Sequence, residues 1–211
     1  MLTNVSWLGH DSVRIEGSKR IYIDPWKLPQ GAPPADLVLV THDHYDHFSA
    51  PDIASVSTPA TVVVGPAQVT RKVSGESRTV AAGDTVVVDD VSVTAMPAYN
   101  IDKFKAPGQV FHPRSDGMLG FVVEMDGRRY YHAGDTDAIP EMAQVDADVA
   151  FVPVSGTYVM TADEAAKACR TLRVNLVVPI HYGDIVGSLA DAQRFQQLCV
   201  LPVEILPRSQ S

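Results

Sequence analysis

Residues 36–47 read Asp36-Leu-Val-Leu-Val40-Thr-His42-Asp-His44-Tyr-Asp46-His47. The apolar run at the start of this stretch is typical of a buried strand. It leads directly into four side chains that can bind metal, in the pattern His-x-His-x-Asp-His. Three of the seven histidines in the chain fall within the last six of these positions. A strand that ends in imidazoles and a carboxylate predicts a metal site.

The spacing within this motif suits two ions. His42 and His44 are two residues apart, so in extended backbone they lie on one side and could bind one ion together. Asp46 and His47 are adjacent and point in different directions, which suits a second ion if the chain turns there. Imidazole and carboxylate ligands fit zinc, iron(II) or manganese, and no thiolate is nearby to select among them.

The whole chain has the composition of an ordinary globular protein. Its 211 residues fit a single domain over residues 1–211. The net charge of −8 argues against a broad nucleic-acid surface. No segment reaches the roughly 18 apolar residues of a membrane span, and the N-terminus lacks the pattern of a signal peptide. Because Cys169 and Cys199 form no Cys-x-x-Cys pair, we expect buried structural thiols and a cytoplasmic location. The sequence leaves the oligomeric state open, a homo-oligomer included.

Alternating and apolar runs predict strands in both halves of the chain, with helices following them. Strands are predicted at 5–8, 12–16, 20–24, 37–40, 61–64, 85–88, 91–96, 119–125, 128–132, 148–154 and 174–180. Helices are predicted at 51–57 with Ser49 near the cap, at 66–73, at 161–172 with a Thr161–Glu164 capping box, and at 188–201. Residues 97–118, rich in proline, glycine and aromatic side chains, predict a long ordered loop with a function.

Two later strands also end in side chains that can bind metal. One runs into Gly134-Asp135, where a carboxylate could bridge two cations or cap a turn. The other ends in His181, which alone would more often be structural. Parallel sheets gather ligands at the carboxyl ends of their strands, which favours a shared site.

Together these segments resemble the metallo-β-lactamase superfamily. Within it the chain is similar to small metal-dependent hydrolases such as ascorbate-6-phosphate lactonase and N-acyl phosphatidylethanolamine phospholipase D. The resemblance rests on the histidine motif, Tyr131-His-Ala-Gly-Asp135-Thr and Pro179-Ile-His181-Tyr-Gly. It extends to Leu8-Gly-His10, Tyr22-Ile-Asp24-Pro and Gly156-Thr-Tyr158-x-Met160.

The resemblance implies an α/β fold, a four-layer αββα sandwich with metal at one edge of the sheets. It implies one or two zinc ions, with manganese or iron as alternatives. His42 and His44 would hold the first ion. The second would be held by Asp46, His47 and His181, and Asp135 would bridge the two.

One expected ligand is missing from the pattern. The family supplies a third histidine to the first ion after the strand that matches residues 91–96, where this chain reads Pro97-Ala-Tyr99-Asn100. His112 could enter from the long loop, water or substrate could fill the position, or the second site alone could be occupied. The candidates for an additional ligand or a substrate contact are His112, Tyr99, Asn100 and Tyr158.

Several polar side chains have two readings each. His10 could carry protons beside the metals or could only shape a turn, and Asp24 is expected to orient a ligand histidine. His132 is expected in the core or behind the ligands. The basic side chains of the long loop could clamp a phosphate or carboxylate, or could simply be solvated; they are Lys103, Lys105 and Arg114.

The resemblance implies a hydrolase. A metal-activated water, oriented by Asp46, would attack an ester-type bond, a phosphodiester or a lactone, in an anionic small molecule. The alternative is a non-catalytic metal-binding or ligand-sensing protein, which the missing histidine favours. A third reading is a diiron redox enzyme, although the chain carries no flavin module. The fold alone does not determine which substrate is cleaved.

Overall fold

The computed structural model describes residues 2–210. Over this range two six-stranded sheets pack face to face. The first sheet has the order β1 (Val5–Gly9), β2 (Ser12–Glu16), β3 (Arg20–Ile23), β4 (Leu37–Leu39), β5 (Val62–Gly65) and β6 (Glu76–Thr79). The second has the order β14-β13-β12-β11-β8-β7, made of β7 (Thr85–Val88), β8 (Val91–Pro97), β11 (Leu119–Met125), β12 (Arg128–His132), β13 (Val149–Pro153) and β14 (Leu176–Ile180).

The helices lie outside the sheets. They are α1 (Ala50–Val56), α2 (Ala67–Thr70), α3 (Ala162–Ala168) and α4 (Leu189–Leu198), with short 3-10 turns at Arg114–Asp116 and Pro140–Gln144. None of the helices between residues 2 and 210 is long and apolar enough to cross a bilayer.

Alternation along the strands explains the layers. Ile23 and Leu39 belong to the core between the sheets, whereas Tyr22 and Val38 belong to a second cluster with Ile53 of α1. Successive side chains of a strand point to opposite faces, so the first sheet buries one face on its partner and the other on helices. The predicted αββα sandwich is confirmed.

Helix starts were easier to predict than helix ends. The reciprocal capping box of Thr161 and Glu164 is present, and Ser49 accepts from the Asp52 amide as the cap of α1. However, α3 ends at Ala168 instead of Leu172, and α2 is a single turn instead of the predicted 66–73. Strand β6 was missed because its residues, Glu76–Thr79, are polar and largely exposed at the edge of the sheet.

Residues 97–118 are more regular than a loop. They contain a small hairpin, β9 (Phe104–Ala106) and β10 (Gln109–Val110), which forms its own two-stranded sheet. The Asp137 carboxylate anchors the start of this segment by accepting from the amides of Ile101 and Asp102, at 2.6 and 3.0 Å. The segment is therefore held beside the strand end that carries Asp135.

The strands that carry the metal motifs all end at one edge. β3 and β4 are parallel neighbours in the first sheet, and β12, β13 and β14 are parallel in the second. The two sheets are tied at this edge by bonds from the Leu119 amide to Thr41 O (3.0 Å) and from the His181 amide to His10 O (2.9 Å).

Gly134 makes the turn after β12. Its φ is +64°, and a Cβ there would lie 2.5 Å from the Leu119 carbonyl oxygen. Only glycine fits this position without strain, and the turn leaves Asp135 at the same edge.

Candidate metal centre

Three histidines form the first group of potential ligands. His42, His44 and His112 each offer a nitrogen, and these atoms lie within 4.8 Å of one another. Nε2 of His42 is 3.0 Å from Nδ1 of His44. His112 comes from the segment after β10. It brings a third imidazole to His42 and His44, which the residues after β8 do not supply. One of the three alternatives for the missing ligand is therefore favoured by geometry.

Asn100 holds His112 in place. The Asn100 amide donates to His112 O at 2.7 Å, and the His112 amide donates to Asn100 Oδ1 at 3.0 Å. The Asn100 side-chain nitrogen donates to Tyr158 O at 2.8 Å. The amide, Oδ1 and Nδ2 of Asn100 all take part in hydrogen bonds that hold the backbone of His112 and Tyr158. Tyr99 points elsewhere, with its hydroxyl donating to Glu141 at 3.0 Å. Neither residue joins the ligand group.

The second group gathers around His47 and His181. A ring nitrogen of His47 and one of His181 lie within 4.8 Å of ligand atoms from His10 and Asp46. The same two residues form a second such group with Asp11 and Asp135. Asp46 Oδ2 is 3.7 Å from Nε2 of His47. These side chains come from four different strand ends, so the fold and not the local sequence brings them together.

Asp135 lies between the two groups. Its Oδ1 is 3.4 Å from Nε2 of His47 and 3.3 Å from Nε2 of His181. Its Oδ2 faces the other way, 3.8 Å from Nε2 of His112. The carboxylate therefore has one oxygen toward each group, which is the arrangement that a bridging ligand needs.

Hydrogen bonds behind the histidines fix which nitrogen is free. The Thr41 hydroxyl donates to Asp24 Oδ2 at 2.5 Å, so its oxygen accepts from Nδ1 of His42 at 3.0 Å. The same Asp24 oxygen accepts from Nδ1 of His47 at 2.8 Å. Nε2 of each ring is left to face the site. Asp24 lies where a residue that orients a ligand histidine should lie.

His181 has a similar support. The Ser155 hydroxyl donates to Thr157 O (3.3 Å) and lies 2.8 Å from Nδ1 of His181, which donates to it. His181 also has a positive φ of 59°, as do His10, Asp24 and Tyr158 at 52°, 44° and 68°. Left-handed backbone is unfavourable for such residues and concentrates at functional sites.

The electrostatics differ between the groups. Burial lowers the pKa of His42 well below its usual range, and it also lowers the pKa of His112. Both rings are neutral and ready to donate a lone pair. Burial acts the same way on His181, but the carboxylates of Asp135 and Asp11 outweigh it and raise the pKa of His181 to about 9. In the metal-free protein, protons on the second group balance the carboxylates that a cation would otherwise balance.

Many polar atoms of the site are buried without a hydrogen bond. They are both oxygens of Asp11, Oδ1 of Asp135, Nδ1 of His10 and His112, and Nε2 of His47 and His181. Such atoms are costly unless something satisfies them. The atoms of Asp11, His47, Asp135 and His181 converge, and their chemistry is nitrogen and carboxylate oxygen, so they fit a divalent first-row metal ion.

A cavity of about 380 Å³ opens onto the site. Its lining contains His44, Tyr45, Asp46, Lys105, Phe111, His112, Asp135, Tyr158 and Ile185. Phe111 and Tyr158 pack edge to face at 4.7 Å and form one wall. This volume suits a small molecule.

His10 and His132 lie behind the ligands. Nε2 of His10 is 3.2 Å from Oδ2 of Asp46, and the His10 ring packs 4.2 Å from that of His181. His10 is fully buried and outside the cavity lining, so it reaches a substrate only through Asp46. His132 uses both nitrogens structurally, on Asp11 O (2.9 Å) and the Gly134 amide (3.2 Å).

The predicted clamp of three basic side chains is largely neutralised. Lys103 Nζ lies 2.5 Å from Asp102 and 3.0 Å from Glu164. Arg114 pairs with Glu141 at 2.8 Å. Lys105 alone of the three lines the cavity. Asp102 is the neighbour of Lys103 in the sequence, but Glu164 and Glu141 are distant in the chain, so the sequence could not reveal those two pairs.

Asp11 is the residue that sequence reasoning missed. It follows His10 in the turn between β1 and β2, at the same edge as the motifs, and it is completely buried. Its position next to the singled-out Gly9-His10 pair was the available signal.

Comparisons with known proteins agree with this geometry. Residues 4–181 match a family model described as a beta-lactamase superfamily domain. A UPF0173 metal-dependent hydrolase of Methanoculleus marisnigri is 35% identical over 199 residues, which cover 92% of this chain and 87% of the relative. A solved structure from Parabacteroides distasonis, described as a metal-dependent hydrolase, has a TM-score of 0.83 and 30% identity, covering 95% of this chain and 91% of that one. The metallo hydrolase Igni18 of Ignicoccus hospitalis, at 22% identity and a TM-score of 0.76, covers 97% of this chain and 95% of its own, and it shares the fold.

Proposed function

The chain belongs to the beta-lactamase superfamily and is a metal-dependent hydrolase, and we propose that it cleaves an ester-type bond, a phosphodiester or a lactone, in a small anionic molecule. The observation that carries the proposal is the convergence of unsatisfied histidine and aspartate atoms at the base of the cavity.

Two ions are assigned to the two groups. His42, His44 and His112 would hold the first, Asp46, His47 and His181 would hold the second, and Asp135 would serve both. Zinc is the ion proposed, because three histidines form a common zinc set, while manganese and iron fit the same donors. When bound, the ions supply a water of lowered pKa and a Lewis acid for the oxygen that becomes negative.

Asp46 is the residue that orients the attacking water. Its carboxylate lines the cavity and is partly exposed. Burial raises the pKa of Asp46, but the hydrogen bond with His10 and the charge of His47 together outweigh burial and lower it. Asp46 is therefore ionised near neutral pH and can accept a hydrogen bond from water. His10, behind it, fixes the direction of the carboxylate.

Charge favours an anionic substrate. Asp11, Asp46 and Asp135 carry three negative charges, whereas two divalent ions carry four positive charges, so the loaded centre would keep a positive charge. Lys105 adds a cation to the cavity wall, and no ion pair involves its ammonium group within residues 2–210. Tyr158 also lines the cavity, and its phenol can donate to the bound anion or the departing oxygen.

A non-catalytic metal-binding protein was favoured by one observation, the missing third histidine. His112 now lies beside His42 and His44, so the sensing alternative has lost that support.

The test uses purified protein loaded with zinc or manganese. Its hydrolysis rate is measured on bis(p-nitrophenyl) phosphate, on a phosphorylated sugar lactone and on an uncharged lactone of the same ring size. We expect turnover of a charged substrate that EDTA and the His181→Ala variant both abolish. Equal, metal-independent rates on all three would contradict the proposal. Preference for the uncharged lactone would contradict its anionic part.

A further inference from the structure

Asp11 is a fully buried carboxylate without a hydrogen bond to either oxygen. Its backbone is held firmly, because Nε2 of His132 donates to Asp11 O at 2.9 Å. An isolated carboxylate in this position is costly to a folded protein unless a cation compensates it.

Three ring nitrogens surround one oxygen of this carboxylate. Asp11 Oδ2 lies 3.6 Å from Nε2 of His10, 3.9 Å from Nε2 of His47 and 3.8 Å from Nε2 of His181. Charge-assisted N–H···O bonds are roughly 2.7–2.9 Å long, so these contacts are too long to be hydrogen bonds.

The same distances suit ligands of one ion. Ligand atoms about 2.0–2.2 Å from a tetrahedral zinc ion lie roughly 3.3–3.6 Å from each other, which is close to the separations around Asp11 Oδ2. Nε2 of His47, Nε2 of His181 and Oδ1 of Asp135 lack hydrogen bonds as Asp11 does. One ligand atom from each of these four residues falls within a 4.8 Å group.

We propose that Asp11 is a direct ligand of the second metal ion, an assignment that rests on the proposed function. Asp11 is fully buried and outside the cavity lining, whereas Asp46 lines the cavity. The second site then has three carboxylates and two histidines, against three histidines and a shared carboxylate at the first. Oxygen ligands suit harder ions, so manganese or iron(II) competes better at the second site than at the first.

The experiment compares the whole protein with Asp11→Asn, which keeps the shape and removes the charge. Metal-free samples are titrated with Co²⁺ and Zn²⁺, and the readouts are stoichiometry, affinity by chelator competition and the visible spectrum of bound Co²⁺. We expect two ions in the wild type. In the variant the second ion should bind at least tenfold more weakly, and its Co²⁺ bands should shift.

Asp148→Asn is the matched control, since Asp148 is a partly buried aspartate at the start of β13, bonded to the Arg129 amide and Asn175. It should bind metal as the wild type does. Asp11→Ala repeats the test if the asparagine variant does not fold. Two ions in wild type and Asp11 variant alike, with equal affinities and spectra, would overturn the inference and leave the proposed function standing. A wild type that binds no ion would overturn both.

Discussion

His112 Nε2 lies 3.8 Å from Asp135 Oδ2, although one residue follows the small hairpin and the other follows β12. This contact joins the first ligand group to the carboxylate shared with the second. It also places a side chain of the 97–118 segment at the boundary between metal and cavity, where a ligand and a substrate can both meet it.

Removing His112 should weaken the first site. In His112→Ala an ion would keep His42, His44 and Asp135, and an undercoordinated ion binds weakly and acidifies water less well. We expect a loss of about one equivalent of metal and at least a hundredfold fall in hydrolysis rate, with the melting temperature of the metal-free protein nearly unchanged. Metal analysis and kinetics are the measurements. Gln109→Ala, an exposed change on the same hairpin, serves as control, and equal behaviour of the two variants would return His112 to a structural role.

Removing His47 or His181 should strip the second ion while the fold remains. Each ring presents Nε2 to the site and is supported from behind through Nδ1. Elemental analysis of the purified alanine variants should find about one equivalent fewer than in the wild type. Circular dichroism reports on the fold. Full metal content in both variants would refute the ligand assignment.

Lys105 and Lys103 should affect different quantities. Lys105→Ala should raise KM for a charged substrate several-fold and leave melting unchanged. Lys103 bonds Asp102 and Glu164 and lies 3.4 Å from Asp137, so Lys103→Ala should destabilise the protein by on the order of 1 kcal/mol. Steady-state kinetics and thermal melting separate the two. A higher KM in Lys103→Ala but not in Lys105→Ala would contradict the placement of Lys105 beside the substrate.

Gly134→Ala should damage both the fold and the site. The added Cβ would meet the Leu119 carbonyl at 2.5 Å and adopt a φ of +64°, which costs more than about 1 kcal/mol. Because Asp135 follows directly, its oxygens would be displaced from both groups. We expect a lower melting temperature and reduced metal content. Gly75→Ala is the control, since it also has positive φ but an open surrounding; it should lower stability without changing metal content.

The two cysteines should differ in reactivity. The interaction between the two thiols lowers the pKa of Cys199 to about 7, whereas this interaction and burial raise the pKa of Cys169. The thiolate is the nucleophile, so alkylation of Cys199 by iodoacetamide should accelerate at lower pH than for an ordinary thiol. The check is a pH series from 5 to 10, spanning the range about the usual thiol pKa, with mass spectrometry to assign the labelled residue. Faster labelling of Cys169 than of Cys199 would contradict the assignment.

Local patterns predicted most of the fold. Apolar alternation marked the strands, and the Thr161–Glu164 capping box marked the start of α3. Such signals lie within a few neighbouring residues, so they can be read from sequence. The short polar strand β6 carries no such pattern, because an exposed edge strand pairs through backbone alone.

The site was only partly predictable for the same reason. The motif residues stand at strand ends, and the sheets bring strand ends together. Asp11 lies beside His181, and Lys103 pairs with Glu164. In both pairs the two residues are far apart in the chain. No local pattern encodes those pairings.

The ties between the two sheets have a consequence for synthesis of the chain. Each ligand group takes residues from both halves, and the first is complete only when His112 and Asp135 have been made. The second also needs His181, whose amide bonds to His10 O across the sheets at 2.9 Å. A nascent chain, growing at about 5–20 residues per second, therefore carries the whole histidine motif for several seconds before it can build either complete site. Loading of the second site therefore has to wait until His181 has been made, whereas the first site has all its residues once Asp135 has been made.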